Sequence, residues 1–172
     1  MIMLDEITHV QEKTRHRPTK DYYYLDIAKA VAMRSTCLRR KYGAVIVKDD
    51  RIVATGYNGS PRRDVNCVDI GTCKRESMKI PHGERYELCN AVHAECNALL
   101  QCNPNDAKDS TLYLFGFERD DNGNNILITA EPCMMCSRII KNMRVKTLIG
   151  SSETDGYYKK DLDKEGYNEI WF

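Results

Sequence analysis

The sequence predicts an α/β domain in which a sheet of mixed strand direction carries helices on its faces. Strand-like and helix-like segments follow one another in the order β-β-α-β-α-β. A tight polar turn joins the first two strands, whereas helices separate later ones, so both antiparallel and parallel pairing are expected. A chain of 172 residues fits one domain, since domains of about 100 to 200 residues are stable without disulfides or structural metals.

The first half of the chain begins with an amphipathic helix, for which Asp21 is expected to be the N-cap. The segment YGAVIVKDDRIVATGYN, residues 42–58, contains two β-branched runs around a polar turn and predicts a hairpin. Residues 58–88 show no period, and such a long irregular stretch in a compact domain is usually functional or held by a metal. The apolar positions of the helix are Tyr24, Leu25, Ile27, Ala28, Val31 and Ala32.

The second half of the chain alternates between strands and helices. We expect a helix over residues 91–102, a strand in STLYLFGF, a hairpin tip at Asn122-Gly123 and a short strand in ILITAEP. Pro132 is expected at the first position of the next helix, CMMCSRIIKNM, and a strand follows in RVKTLIGS. The tail has a mixed pattern and receives no assigned element.

The composition argues against several classes of function. The 26 basic and 25 acidic side chains give a net charge of +1, so no global field attracts nucleic acid or an anionic membrane. No signal-peptide pattern and no run of roughly 18 to 20 apolar residues is present. We therefore expect a cytoplasmic protein with neither a nucleic-acid nor a membrane partner. Its eight cysteines favour metal binding, because clustered thiols in a reducing compartment more often bind metal than form disulfides.

Two cysteines open the predicted helix CMMCSRIIKNM. Cys133 and Cys136 are three residues apart, so both sulfur atoms can face one point from the first helical turn. The free N–H groups and the positive dipole end at that position favour thiolates. Alone, the C-x-x-C pair is also compatible with a redox pair, a structural zinc ribbon or simple packing.

A second cluster, CNAVHAECNALL at residues 89–100, places His93 and Glu95 at a helix start. Their spacing does not share one face of a helix interior, but at the N-terminus, where the chain is still turning, both can converge on one point. In isolation the pair also fits a buried histidine and a first-turn acid. Together with P-C-x-x-C on a second helix, it matches the H-x-E and P-C-x-x-C signature of zinc deaminases.

These residue types suit a catalytic zinc. The neutral imidazole of His93 and the thiolates of Cys133 and Cys136 balance Zn²⁺ and leave one tetrahedral position open for water, whose pKa zinc lowers from 15.7 toward roughly 7. Glu95 is not needed as a ligand and is expected to carry protons in the hydrolysis of a base amino group. A non-catalytic binding module stabilised by structural zinc would have no use for such an unliganded glutamate.

Three segments resemble the deoxycytidylate (dCMP) deaminases of the cytidine deaminase superfamily: RSTCLRRKYGAVIVKDDRIVATGYNGSPR, CNAVHAECNALLQ and EPCMMCSRIIKN. The resemblance covers about residues 20–152. It implies a three-layer α/β/α fold with a central mixed five-stranded sheet, as one deaminase domain over residues 1–172 with a cysteine-containing insertion at about 58–90.

The same resemblance implies an activity, the hydrolysis of dCMP to dUMP and ammonia, which supplies thymidylate synthesis. Every branch of the superfamily shares the zinc signature, so deamination of a nucleoside, a tRNA adenosine, guanine or a riboflavin precursor stays open. The net charge of +1 argues against tRNA, because binding its backbone favours a basic surplus.

The resemblance also implies substrate contacts. GYNGSPR, residues 56–62, resembles the substrate loop of the family, in which the matching asparagine, Asn58, binds the nucleotide sugar. Val45 and the backbone of Ala94 are expected to line the base pocket, and Arg62 is expected to meet a phosphate. An ordinary Asn-Gly turn and solvated loop charges are the alternatives for this segment.

Family members with a comparable insertion often bind a second zinc. We therefore expect a structural zinc with at least three ligands from four further cysteines, with His82 or Glu84 as an alternative for one of them. Cys96 and Cys102 are instead expected to be small buried packing residues. The four matching cysteines are Cys37, Cys67, Cys73 and Cys89.

The chain departs from the family pattern after the strand TLYLFGF, where about ten extra residues, ERDDNGNNIL, are expected near the active-site rim. In the tail, only Tyr157 or Tyr158 is expected to close over the base. Members of the family assemble as homo-oligomers, as dimers, trimers or hexamers, and many respond to dCTP and dTTP. The resemblance extends both expectations to this chain.

Overall fold

The computed structural model describes residues 17–81 and 83–164. None of the helices in these ranges is both long and apolar enough to cross a membrane. The helices are α1 (Lys20–Ala32), α2 (Cys67–Ile70), α3 (Lys74–Ser77), α4 (Ala94–Gln101), α5 (Pro104–Ala107) and α6 (Met134–Asn142), with a 3-10 turn at Tyr86–Leu88. The strands are β1 (Arg40–Lys48), β2 (Arg51–Tyr57), β3 (Thr111–Arg119), β4 (Asn125–Ile128), β5 (Thr147–Ser152) and β6 (Gly156–Asp161).

The strands form one sheet of mixed direction. Hydrogen-bonded neighbours follow the order β2-β1-β3-β5-β6, and β4 pairs with β3 beside this path. Only the β3–β5 pair is parallel among these strands, because β3, α6 and β5 form a crossover unit. The predicted mixed sheet is confirmed for the five-strand path, and β4 is a sixth strand.

Helices cover both faces of the sheet, and alternation along β1 separates the two cores. Val45 is packed in the core beneath α1, together with Leu25 and Ile149. Ala44 and Ile46, its neighbours in sequence, contribute to the core that also contains residues of α4 and α6. The predicted arrangement of helices on both faces is therefore confirmed.

The backbone of β2 approaches α4 very closely at Gly56. A Cβ at this position would lie 2.3 Å from the backbone nitrogen of Ala98 and 2.4 Å from the backbone oxygen of Ala94. Both alanines are fully buried, so the helix has no room to withdraw from a larger residue. This contact fixes α4, and with it the residues at its N-terminus, against the sheet.

Three predicted helix starts are corrected. The N-cap of α1 is Thr19, whose hydroxyl accepts from the Tyr22 N–H at 3.4 Å, whereas Asp21 lies within the first turn and accepts from the Tyr113 hydroxyl at 2.9 Å. Pro132 precedes the N-cap of α6 and is not its first residue. The helix expected over residues 91–102 is shorter, because the chain is still extended at residue 93.

Two further segments differ from expectation. The stretch 58–88 contains two single-turn α-helices and the 3-10 turn, although it has no sequence period. The tail contains β6, which pairs antiparallel with β5 over its whole length. The hairpin over 42–58 is confirmed, and so is the tip at Asn122-Gly123, where the φ of Gly123 is 84°.

The contact at Gly56 leads to a stability prediction. Gly56→Ala is expected to lower the free energy of unfolding by about 1 to 3 kcal/mol, because the added methyl group overpacks two backbone atoms of α4. Thr55→Ala is the control, since Thr55 is exposed on the same strand. Urea titrations of both variants measure the difference, and equal stability of the two would contradict the predicted role of Gly56.

Candidate active site

The N-terminus of α4 presents a histidine and a glutamate. His93 is the N-cap, with extended backbone angles of −70° and 154°, and Glu95 is the second helical residue. The turn of the chain between them allows both side chains to approach one site, as the sequence predicted. Glu95 is only 4% exposed, an unusual environment for a carboxylate without an ion-pair partner among the described residues.

The N-terminus of α6 supplies two cysteines to the same place. Cys133 is the N-cap of α6 and Cys136 lies in its first turn. The Nδ1 atom of His93 lies 3.3 Å from the sulfur of Cys133 and 3.4 Å from the sulfur of Cys136. All three donor atoms lie within 4.8 Å of one another, so the predicted convergence of the three residues is confirmed.

These donors fit a zinc ion. Zinc prefers thiolate and imidazole ligands in a tetrahedral arrangement, and three protein ligands leave a fourth position open. The described residues contain no other set of three or more histidine, cysteine or carboxylate donors gathered this closely. The chemistry and spacing of the set therefore match a catalytic rather than a closed structural zinc site.

The charges at the site are shared between close neighbours. The pKa of the Cys133 thiol lies well below its ordinary value, because Cys136 donates a hydrogen bond to its sulfur and His93 lies beside it. The pKa of Cys136 is raised, since its proton is held by Cys133 and the group is buried. The hydrogen bond to Cys133 raises the pKa of His93 against the effect of burial. Cys133 is thus prepared as a thiolate.

Burial raises the pKa of Glu95, although its own backbone N–H and the nearby His93 oppose the shift. A raised pKa brings a carboxyl group closer to the range in which it can both accept and release a proton, as general acid/base catalysis requires.

A cavity of about 100 Å³ lies over these groups. His93, Glu95 and Cys133 form part of its wall, and residues of the 58–90 insertion form much of the rest. From this insertion, the ring of Tyr86 packs edge-on against the His93 imidazole, with 5.3 Å between centroids and 86° between planes. The insertion therefore helps to orient a predicted metal ligand.

Comparisons with known proteins agree with this geometry. The model of the family described as the cytidine and deoxycytidylate deaminase zinc-binding region matches residues 18–151. The chain belongs to this family.

Relatives from other organisms extend the comparison. The deoxycytidylate deaminase of Mycobacterium phage D29 is 40% identical over 143 residues, which cover 80% of this chain and 98% of that protein. That of Schizosaccharomyces pombe is 34% identical over 137 residues, 78% of this chain but only 38% of the yeast protein. The crystal structure of dCMP deaminase from the cyanophage S-TIM5 is 27% identical, with a TM-score of 0.52, and the match covers 82% of this chain and 89% of that one.

Asn58, which the sequence predicts to bind the nucleotide sugar, borders the cavity and is 6% exposed. Its side-chain oxygen accepts from the Ser35 hydroxyl at 2.6 Å and from the Tyr42 N–H at 2.8 Å. Its side-chain nitrogen donates to the Arg40 carbonyl at 2.8 Å, which leaves one N–H without an acceptor among the described residues. Asn58 thus joins β1 to the residues after α1 while facing the cavity.

Other predicted substrate residues are placed differently. Val45, predicted to line the base pocket, is fully buried in the core beneath α1 and is not part of the cavity wall. Arg62 is exposed and lies outside the cavity wall, which does not support its predicted contact with a phosphate. Ala94 is fully buried as the first residue of α4.

The two tail tyrosines do not border the catalytic cavity. Tyr157 packs edge-on against Tyr22 at 5.0 Å, and the hydroxyl of Tyr158 donates to the Ala130 carbonyl at 2.6 Å. The extra residues after β3 form the β3–β4 hairpin, which reaches the cavity wall through the ion pair of Glu118 with Arg40 at 2.9 Å.

The four cysteines predicted to bind a second zinc border another cavity, of about 290 Å³, but their sulfur atoms are not as close together as the donors of the first site. Burial raises the pKa of Cys37 and of Cys67, and the neighbouring thiols of this group add to both shifts. His82 lies outside the described residues, and Glu84 is exposed. Cys102 is buried as expected, whereas Cys96 is only partly buried. The cysteines at this cavity are Cys37, Cys67, Cys73 and Cys89.

Sequence reasoning missed Tyr86 and Arg75, which both border the catalytic cavity. Both lie in the insertion, where no hydrophobic period distinguishes a buried position from an exposed one. A tyrosine and an arginine among many polar residues gave no signal of their burial.

The ligand set leads to a metal-binding prediction. Cys133→Ser is expected to lose about one zinc ion per chain, because a serine hydroxyl is not a ligand that zinc favours. Cys96→Ser should keep the wild-type content, since Cys96 lies on the same helix as Glu95 but outside the donor set. Atomic emission on the purified variants measures the metal, and full retention in Cys133→Ser would exclude the assigned ligands.

Proposed function

We propose that this chain is a zinc-dependent deaminase that hydrolyses dCMP to dUMP and ammonia. The observation that carries the proposal is a buried glutamate, Glu95, in the wall of the cavity that also contains His93 and Cys133. A non-catalytic zinc module would have no reason to keep this carboxyl group buried beside the ligands. The relatives named deoxycytidylate deaminase support the choice of substrate.

His93, Cys133 and Cys136 would hold the zinc ion. When bound, zinc supplies Lewis acidity that makes water a nucleophile near neutral pH. The pair of α6 cysteines is suited to the charge of the ion because Cys133 is already poised as a thiolate.

Glu95 moves the protons. In the hydrolysis, a C–O bond forms at C4 of the cytosine ring, and the bond from C4 to the exocyclic amino nitrogen breaks. One water proton ends on ring nitrogen N3 and the other leaves with the amino group as ammonia. A carboxyl group whose pKa is raised by burial can accept each proton from water and release it again to nitrogen.

Asn58 is proposed to bind the sugar of the nucleotide. Its fixed side-chain oxygen and its donation to the Arg40 carbonyl orient the amide, so that its remaining N–H is available to a sugar oxygen in the cavity. The backbone at Ala94 is proposed to contact the base, because α4 begins there between His93 and Glu95.

A structural zinc at the four-cysteine cavity is the second part of the proposal. Cys67 begins α2, Cys73 is the N-cap of α3 and Cys89 follows the 3-10 turn, whereas Cys37 lies between α1 and β1. A tetrahedral ion would tie them together and would stabilise the insertion that carries Tyr86.

We also propose a homo-oligomer, between a dimer and a hexamer, regulated by dCTP and dTTP as many members of the family are. Exposed apolar side chains on α6, Met134, Met135 and Ile139, support an interface between copies, because such a cluster is unfavourable in water. The cytoplasmic location stays a prediction from the sequence.

Deamination leads to the first test of the proposal. Glu95→Gln is expected to lose activity by about two to four orders of magnitude while it keeps its zinc, because the amide cannot exchange protons. Ammonia release is measured with dCMP, dCTP, deoxycytidine, CMP and adenosine as substrates. Glu87→Gln, an exposed acid that pairs with Arg85, is the control. Turnover that survives in Glu95→Gln would refute the mechanism. Ammonia release only from a compound other than dCMP would refute the proposed substrate.

The second zinc has a separate test. Metal analysis of the purified wild-type chain is expected to give about two zinc ions, and Cys73→Ser about one, because only the cavity of the insertion loses a ligand. Cys96→Ser serves again as the control. A fully active wild-type sample with about one zinc ion per chain would exclude the structural site.

A further inference from the structure

Arg75 is a buried cation without a carboxylate partner in the described chain. It is 5% exposed, and it lies in the wall of the same cavity as Glu95. Charged side chains are almost never buried this deeply unless they are paired. An unpaired guanidinium in a cavity wall therefore indicates a site for an anion.

Neutral groups of the insertion hold the side chain in place. The Nη2 atom of Arg75 donates to the carbonyl oxygens of Pro81 at 2.7 Å and Glu84 at 2.6 Å. Its guanidinium carbon lies 4.8 Å from the ring centroid of Tyr86. These contacts fix the position of the charge without neutralising it, and the buried Nε–H has no hydrogen-bond acceptor within the part of the chain that the structure describes.

The other two arginines in the wall differ from Arg75, because each forms an ion pair, and so does the wall residue Glu131. Arg39 pairs with Glu76 at 3.0 Å, and Arg40 pairs with Glu118 at 2.9 Å. Glu131 pairs with Lys160 at 3.0 Å. Arg75 is thus the uncompensated positive charge among the described arginines of this wall.

Arg75 also lies close to the donor set. The ring centroid of Tyr86 lies 4.8 Å from the guanidinium carbon of Arg75 and 5.3 Å from the centroid of the His93 imidazole. The guanidinium carbon of Arg75 therefore lies no farther from the centroid of the His93 imidazole than the sum of these two distances. One end of a nucleotide could therefore reach the site of Glu95 while the other end contacts Arg75.

We propose that Arg75 binds the phosphate monoester of the substrate and so makes the enzyme select a nucleotide over a nucleoside. The inference rests on the proposed deaminase function. Arginine suits this role because its planar guanidinium donates parallel, charge-assisted hydrogen bonds to phosphate oxygens. Holding it against Tyr86 and two carbonyl groups before the substrate arrives reduces the entropy lost on binding.

The test compares the two products that differ only in the phosphate. Calorimetry measures the affinity of dUMP and of deoxyuridine for the zinc-loaded wild type and for Arg75→Gln. The affinity ratio of dUMP to deoxyuridine is expected to fall about 10- to 100-fold in Arg75→Gln, with deoxyuridine binding nearly unchanged, because only the phosphate loses its partner. Arg85→Gln is the matched control, since it removes the same charge from an exposed position of the same insertion.

A purely structural role gives a different result. If Arg75 served only to hold the Pro81 and Glu84 carbonyls, or to balance the nearby cysteines, Arg75→Gln would weaken dUMP and deoxyuridine equally, and that outcome would overturn the proposal. Zinc content and melting temperature report whether the variant folds. If it does not fold, Arg75→Lys is measured instead, because lysine keeps the charge but lacks the planar guanidinium with its parallel donors. A dUMP to deoxyuridine affinity ratio lowered at least about threefold supports the phosphate role. An unchanged ratio overturns it.

The proposed function can fail independently. A wild-type chain that releases no ammonia from dCMP would overturn the deaminase assignment, whereas equal losses of dUMP and deoxyuridine binding would overturn the role of Arg75 alone.

Discussion

The convergence of two helix N-termini on one point is the constraint on which the site depends. α4 brings His93 and Glu95, and α6 brings Cys133 and Cys136. The close contact of α4 with the sheet at Gly56 and the crossover from β3 to β5 through α6 determine where the two helices begin. Unpaired N–H groups and the positive ends of both helix dipoles point to the same place, and they favour thiolates and a carboxylate there.

The convergence of the three donor residues with Glu95 could be predicted because it depends on local geometry. A helix start, a C-x-x-C pair and an H-x-E pair each limit where their side chains can reach, whatever the rest of the fold does. Other residues depend on tertiary structure. Alternation along β1 places Val45 and its neighbours on opposite faces of the sheet, but the sequence does not indicate which face packs against α1. β6 was missed because GYYKKD combines weak alternation with lysines.

The insertion shows the same limit more strongly. Arg62 and Arg75 both occur in a polar stretch, and the sequence pattern does not distinguish them. Arg62 is nevertheless exposed, whereas Arg75 is buried. What separates them is a pair of carbonyl groups and the ring of Tyr86, which the chain brings together only after folding. The cysteine cavity and the catalytic cavity share part of their walls, because both are bordered by Cys37, Cys73 and Cys89.

The β3–β4 hairpin has a practical consequence. β3 pairs with β5 only through residues 111–114, and its outer half, residues 116–119, pairs with β4 instead. The tip beyond it is exposed, so loop length there can vary without displacing Pro132 or the α6 cysteines. The hairpin is nevertheless tied to the cavity wall by Glu118 and Arg40. A fluorophore attached at the tip would therefore leave the fold intact and still report when a ligand disturbs that wall.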